Sequence, residues 1–271
     1  MKRRKVTTVV NIYSRKVKDQ ILEIIDNFFT REGVHGITED VFVCVDELIK
    51  NAVKANYKFM FVLNQLLEQY REDQPELTED ELQEQIRTVL RDKSSFDIIA
   101  PEIYREYNIV DRVQEILKEE AEQIRIKDKA YMGDRECTEE ELDKIKTLHK
   151  LADLKGKLKK NNVKVFLKIE ADEEFVFIEV TNTAPITDMD MHRIHEKRDE
   201  FRKYRLEGRE YEFFINNIDT SESGYGLGYA TIDSTLASLG LDPDESIKLL
   251  AASDTTVILS FPISDLIRKS A

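Results

Sequence analysis

Two stretches of this chain carry residues whose types and spacing could do chemistry. In "DELIKNAVKA", Glu47 and Asn51 are four residues apart, which on a helix brings their Cβ atoms to about 5–6 Å of each other on one face. A carboxylate there can take a proton from water or from an acceptor hydroxyl. An amide oxygen one turn later is a suitable hard ligand for Mg2+ beside phosphate oxygens. Lys50 and Lys54 share this polar face, while Val45, Leu48, Ile49, Ala52 and Val53 supply the buried side. The second stretch, "SESGYGLGYATIDSTLASLG", sets Gly224, Gly226 and Gly228 at alternate positions ahead of an apolar helical pattern. Glycine lets backbone N–H groups close on an anion, and a helix N-terminus adds a favourable dipole. Taken singly, each stretch also has a plainer reading. The first can be a solvated face with a Glu47–Lys50 surface pair, and the second a hinge before a helix.

Other chemistries find less support. A dinucleotide fingerprint would need glycine at position 229, which is Tyr229, and a strand ahead of it, which "NIDTSES" is not. No Gly-Lys-Ser/Thr follows the glycine run, so the P-loop pattern is absent. The four histidines are His35, His149, His192 and His195. His149 reads as a solvated helix-face residue, and it lacks the acidic neighbour and downstream proline of a phosphoacceptor box. His192 and His195, three apart, read as an exposed polar turn without a third metal ligand. Cys44 and Cys137 give neither a disulfide framework nor metal-ligand spacing.

The elements that must position these residues follow from periodicity. "KVTTVVNIY" (5–13) alternates as a strand does, and "KVKDQILEIIDNFFTREG" has helical apolar spacing that stops at Gly33. Thr38 is placed to cap the helix that carries "VFVCVDELIKNAVKA". From about Tyr57 to Lys160 the pattern reads as charged amphipathic helix, with capping boxes at Thr78/Glu81 and Thr138/Glu141 and breaks at Pro75 and Pro101. After Asn161 the period changes to two. "VKVFLKIE", the turn "ADEE" and "FVFIEVTN" read as a hairpin, and "SIKLLAA" and "TTVILSFPI" as two further strands. The polar stretch from Thr187 to Ser223 is too long for an ordinary connection and reads as a mobile lid or a partly helical loop. The expected class is therefore α+β, with a helical insertion interrupting it.

Together, "ELIKNAVKA" resembles the N-box, and "GYGLGYATIDSTLASLG" the second glycine box, of the GHKL superfamily. That superfamily holds the ATP-binding domains of histidine kinases, anti-sigma-factor kinases, DNA gyrase and mismatch-repair ATPases. "FIEVTNTAPIT" stands in the place of the first glycine box, and "SDTTVILSFPI" resembles the final strand. The resemblance covers roughly 1–55 and 161–265, and is nearest to anti-sigma-factor kinases and sensor-kinase catalytic domains. It implies a Bergerat-type two-layer α/β sandwich with a mixed sheet, and two parts: residues 1–56 with 161–271 as the nucleotide-binding domain, and 57–160 as a helical insertion. It further implies Glu47 as general base, Asn51 as the Mg2+ ligand and Lys54 as a phosphate contact. Gly224, Tyr225, Gly226, Leu227 and Gly228 would wrap the phosphates, and Asn182, Ala184, Thr255 and Thr256 would lie at the adenine. The first glycine box departs from its usual Asp-x-Gly-x-Gly: here it reads Asn182-Thr183-Ala184-Pro185-Ile186. An asparagine oxygen can still accept from the adenine amino group, and the missing glycines bring Cβ atoms towards the base.

The formal net charge of -13 over 271 residues argues against a nucleic-acid backbone or an anionic membrane surface as partner. The basic start lacks the continuous apolar core of a signal peptide, and no apolar run reaches the roughly 20 residues that span a bilayer. The expected location is the cytoplasm. The expected function is ATP and Mg2+ binding for protein phosphorylation or slow hydrolysis in a regulatory role, with ATP or ADP as ligand. The alternatives are a non-catalytic regulator that docks a protein partner through residues 57–160, with a homodimer as one form, and a structural domain in which the glycine run is only a hinge.

Overall fold

A computed structural model describes residues 4–10, 13–218 and 227–270. Five strands, β1 (Arg4–Val10), β2 (Val165–Ala171), β3 (Phe175–Asn182), β4 (Ile247–Ala251) and β5 (Thr255–Pro262), form one sheet in the order β1-β2-β3-β5-β4. Burial alternates residue by residue along β2, β3 and β5, as the period of two in the sequence requires. Every ladder is antiparallel, which corrects the expectation of a mixed sheet. The physical reason is that β2–β3 and β4–β5 are tight hairpins, and β1 and β5 each enter beside an oppositely running neighbour. The protein is α+β and mostly helical.

Helix α1 (Arg15–Arg31) buries Ile21, Ile25, Phe28 and Phe29, one stripe at helical spacing. It stops where Gly33 takes a φ of +77°, the left-handed conformation that ends helices most cheaply at glycine. Helix α2 (Thr38–Asp73) follows and runs unbroken for 36 residues, about 54 Å. Thr38 is its first helical residue and not its cap: its hydroxyl donates to Asp26 Oδ1 at 2.9 Å. Pro75 stands just past the end of α2. The N-terminal half of α2 packs with α1 and the sheet in one apolar core containing Val41, Val45, Leu48, Ile49, Val180 and Val257.

Beyond Asn56 the same helix enters a second core. Tyr57 to Leu63 and then Leu66 and Leu67 are buried, so this stretch is apolar nearly all round, as a helix enclosed by others must be. That corrects the reading of the segment from Tyr57 as charged amphipathic helix. Its jacket is α3 (Glu79–Arg91), α4 (Lys93–Glu106), α5 (Ile109–Met132) and α7 (His149–Lys160), while α6 (Glu139–Lys146) lies outside it against α5 and buries none of its residues. Leu82, Ile86, Leu90, Phe96, Ile103, Val113, Ile116, Leu151 and Leu154 close on the α2 spine. Both expected capping boxes are formed, at Thr78/Glu81 and Thr138/Glu141. Pro101 does not break the run; it lies inside α4. Val53 packs against both cores.

The long polar stretch takes its helical form, as α8 (Asp188–Leu206) and α9 (Glu210–Ile218), capped by Thr187, whose hydroxyl accepts from the Asp190 amide. Helices α10 (Leu227–Ser238), α11 (Pro243–Ser246) and α12 (Ile263–Ser270) complete the described chain. Of the expected lid, residues 188–218 are helical and clamped to α10, and residues 219–223 lie outside the described residues. Arg198 of α8 donates to both oxygens of Asp233 on α10 at 2.9–3.1 Å and to the Pro243 carbonyl at 3.2 Å. Among the described residues no helix is long and apolar enough to cross a membrane.

The Arg198–Asp233 pair is nearly enclosed, with side chains 13% and 7% exposed. Removing one partner strands a buried charge, which costs about 3–5 kcal/mol. Asp233→Ala is therefore expected to lower the unfolding free energy read from urea curves by an amount in that range, moving the midpoint down with the cooperativity of the transition retained.

Candidate functional site

The helical spacing of α2 lays Asn51, Lys54, Ala55 and Lys58 along one face, and that face forms one wall of a cavity of about 780 Å3. Val180, Asn182, Thr255 and Val257 of the sheet, Pro185 and Ile186 of the loop after β3, and Gly228 and Tyr229 of α10 line it further. Helix α8 closes it with Asp190, Ile194 and Lys197, and the insertion adds Tyr104 of α4 and Val110 of α5. Most of the wall is apolar, with polar groups at a few places, the usual make-up of a small-molecule site.

The residues singled out in the sequence meet here in part. A Cβ built on Gly228 would lie 3.0 Å from Glu47 Oε2 and 3.2 Å from Asn51 Nδ2. The first turn of α10 thus rests directly on the Glu47–Asn51 face. Among the described residues the Asn51 and Lys54 side chains have no hydrogen bond or ion pair. Burial pushes the Lys54 ammonium below the usual lysine range, with the Glu47 carboxylate opposing the shift. A half-buried cation left unpaired is expensive unless an anion visits it.

At the other side of the cavity, Asn182 and Thr255 are cross-strand partners. Asn182 Nδ2 and the Thr255 hydroxyl both donate to the Ala184 carbonyl, at 2.9 and 2.8 Å. The Asn182 amide is thereby oriented, and its Oδ1 is left as an acceptor. Ala184 itself is fully buried in the second core and contributes that carbonyl. Thr256 points to the opposite face of the sheet, where its hydroxyl meets that of Thr181 at 2.8 Å; it does not line the cavity. Leu227 packs with Phe201, Phe213 and Ala230 in a small aromatic cluster, also away from the cavity. Gly224, Tyr225 and Gly226 lie outside the described residues.

Sequence reasoning missed the groups behind Glu47. Asp46 accepts from Tyr13 Oη at 2.7 Å and pairs with Lys18 at 2.9 Å and Lys50 at 2.6 Å. Lys50 also donates to Glu47 Oε1 at 2.7 Å, so Glu47 is tethered by one oxygen and turns the other towards Gly228. Burial alone would push the Asp46 carboxyl up, but the bonds from Lys50, Lys18 and Tyr13 hold it below the usual carboxylate range. Burial and Asp46 together keep the Tyr13 phenol protonated far above neutrality. The i, i+4 spacing of Asp46 and Lys50 was visible in the sequence, but Tyr13 and Lys18 come from α1 and the turn before it.

The other candidates separate from this site. Burial pushes the Cys44 thiol up to about 12, which makes it inert. His149 opens α7 after a break and is exposed, and His192 and His195 sit on the exposed side of α8, where His192 meets Glu196 at 3.2 Å. Among the described residues no three His, Cys, Asp or Glu side chains are grouped to hold a metal. No protein-family model, curated protein or solved structure matches this chain.

Two outcomes follow from this geometry. Asp46 has a depressed folded pKa, so its contribution is fully present above the ordinary value of 3.8 and is lost as pH falls through the lower folded value. Asp46→Asn is expected to cost about 1–2 kcal/mol at pH 7, a deficit that narrows as melting curves are taken below pH 4. Gly228→Ala puts a methyl against the flexible ends of Glu47 and Asn51. Alanine gains up to about 1 kcal/mol of helix propensity, so thermal stability is expected to hold or rise while ligand affinity of the cavity falls. A calorimetric titration beside a melting curve reads both.

Proposed function

We propose that this chain is an ATP-binding protein of the GHKL type, holding Mg2+·ATP in the α2 cavity and using it for protein phosphorylation or slow hydrolysis in a regulatory role. The observation that supports this reading is the contact of Gly228 with Glu47 and Asn51. The two motifs on which the resemblance rests meet beside a cavity of the right size and character, although most of the chain separates them.

In this reading the phosphates lie between the Asn51–Lys54 face and the start of α10. Lys54 supplies a cation that, among the described residues, no ion pair holds, with Glu47 as the nearby carboxylate. The donor set also suits Mg2+: Asn51 offers a hard amide oxygen without a hydrogen-bond partner among the described residues, and Mg2+ takes one or two protein ligands and fills the remainder with phosphate and water. When bound, the metal neutralises charge developing on the phosphates. Glu47, tethered at Oε1 by Lys50, would receive a proton at Oε2 from water or an acceptor hydroxyl. At the base end, Asn182 Oδ1 would accept from an exocyclic amine, its amide held in that orientation by the Ala184 carbonyl. Apolar Leu48, Ala52, Ile186 and Val257 would cover the ring faces.

Calorimetry with ATP and ADP, with and without Mg2+, tests the reading. Binding is expected for both, and Asn51→Ala is expected to abolish the Mg2+-dependent part of the affinity. Glu47→Gln should retain ATP while turnover falls by about 10²–10⁴. No binding at millimolar nucleotide by folded protein would overturn the proposal. Binding without turnover, alone and with candidate acceptor proteins, would make the nucleotide a regulatory ligand and remove the catalytic half of it.

A further inference from the structure

The α2 face that carries Asn51 and Lys54 continues one turn further to Lys58, within the insertion. Lys58 is only 5% exposed, and it lines the same cavity. Its ammonium meets Asp190 of α8 at 3.2 Å and lies 5.2 Å from the centre of the Tyr104 ring. Asp190 also receives Arg193 at 3.7 Å. Of the other carboxylates on the α8 wall, Glu200 pairs with Lys197 of the same wall at 2.7 Å, and Glu196 lies 3.2 Å from His192. The cavity lining thus carries four cations, Lys54, Lys58, Arg193 and Lys197, against three carboxylates, Asp190, Glu196 and Glu200, and Asp190 is the one that Lys58 and Arg193 share, in a partly desolvated space where an excess of positive charge attracts an anion.

We infer that Asp190 is an internal stand-in for a ligand anion, holding Lys58 and Arg193 until a phosphate-bearing ligand displaces it. This rests on the proposal that the cavity takes a nucleotide, and it adds a subsite built by the insertion together with α8. Lys54 and Lys58 are i, i+4, so their ammonium groups can converge on one polyanion. Asp190 lies in the first turn of α8, while the helix is clamped further along by Arg198 and Asp233. A rotation of the Asp190 side chain would thus open its pair with Lys58 without moving the helix. The exchange also ties occupancy of the cavity to the packing of α8 on the insertion, where Lys93 and Asp97 of α4 hold Asp188.

The experiment is calorimetric titration of Mg2+·ATP and of inorganic tripolyphosphate into the full chain and its Asp190→Asn, Lys58→Met and doubly substituted forms. Melting curves verify folding, and Asp190→Ser replaces Asp190→Asn if the latter does not fold. Removing the competing carboxylate is expected to tighten both ligands about fivefold or more, the lower range of coupling between competing contacts. Lys58→Met should weaken both, and in the Lys58→Met background Asp190→Asn should give back only the smaller part of the gain that passes through Arg193. If the wild-type chain binds and folded Asp190→Asn binds no tighter, the inference fails and the nucleotide proposal stands. If neither the wild-type chain nor Asp190→Asn binds, both fall together.

Discussion

The continuity of α2 is the constraint on which the rest of this structure depends. One 36-residue helix is a wall of the sheet core, a wall of the cavity and the spine of the helical core. Each buried aliphatic or aromatic side chain on it contributes about 1.5–3 kcal/mol of burial, and buried residues run along it from Val41 to Leu67. That packing fixes the rotation of the helix about its axis. With rotation fixed, the polar face carrying Asn51, Lys54 and Lys58 can point only into the space left between sheet, α8 and α10. A break at Asn56 would uncouple the rotation of the first half of the helix from the packing of the second, and leave that face with a less defined direction.

The charges around α2 divide by what neutralises them. Asp46, Lys18, Lys50 and Tyr13 form a closed network that binds the chain before α1, and α1 itself, to α2. The Arg198–Asp233 pair does the same between α8 and α10. These groups are spent on structure. Among the described residues Lys54 and Asn51 have no such partner, and Lys58 meets a carboxylate from a different element. Most other ion pairs lie on exposed helix faces, such as Arg125–Glu122 and Lys146–Asp143, where solvent screening leaves each worth little. The contrast between engaged and unengaged polar groups marks the cavity more clearly than its volume does.

The insertion is bound to the sheet part at more than its covalent junctions. Asp128 of α5 accepts from the Arg15 amide at 2.9 Å, and Asp97 of α4 accepts from the Asp188 amide at 2.8 Å. Tyr104 and Val110 reach the cavity wall. Changes in the packing of α4 and α5 therefore act directly on the shape of the site.

Local pattern alone was enough for much of this protein. The period of two placed β2, β3, β4 and β5 within a residue or two, because alternation follows from one face being buried. The Thr-x-x-Glu boxes placed the starts of α3 and α6, because their bonds close within four residues. The Glu47–Asn51 spacing and the last glycine of its run were also readable, and they do meet. What pattern could not supply was anything set by partners distant in sequence. The antiparallel order of the sheet depends on which edge each strand meets. The spine from Tyr57 to Leu67 is buried because four helices from later in the chain, α3, α4, α5 and α7, surround it. Pro101 stays within α4 because that helix's buried face is held by the same core. Thr256 turned out to face away from Thr255, a consequence of sheet alternation once the Asn182–Thr255 register is known. Asp190, Tyr104 and Tyr13 entered the site or its support from three separate elements. Their roles rest on contacts across long stretches of chain, which only the packed structure brings within hydrogen-bonding distance.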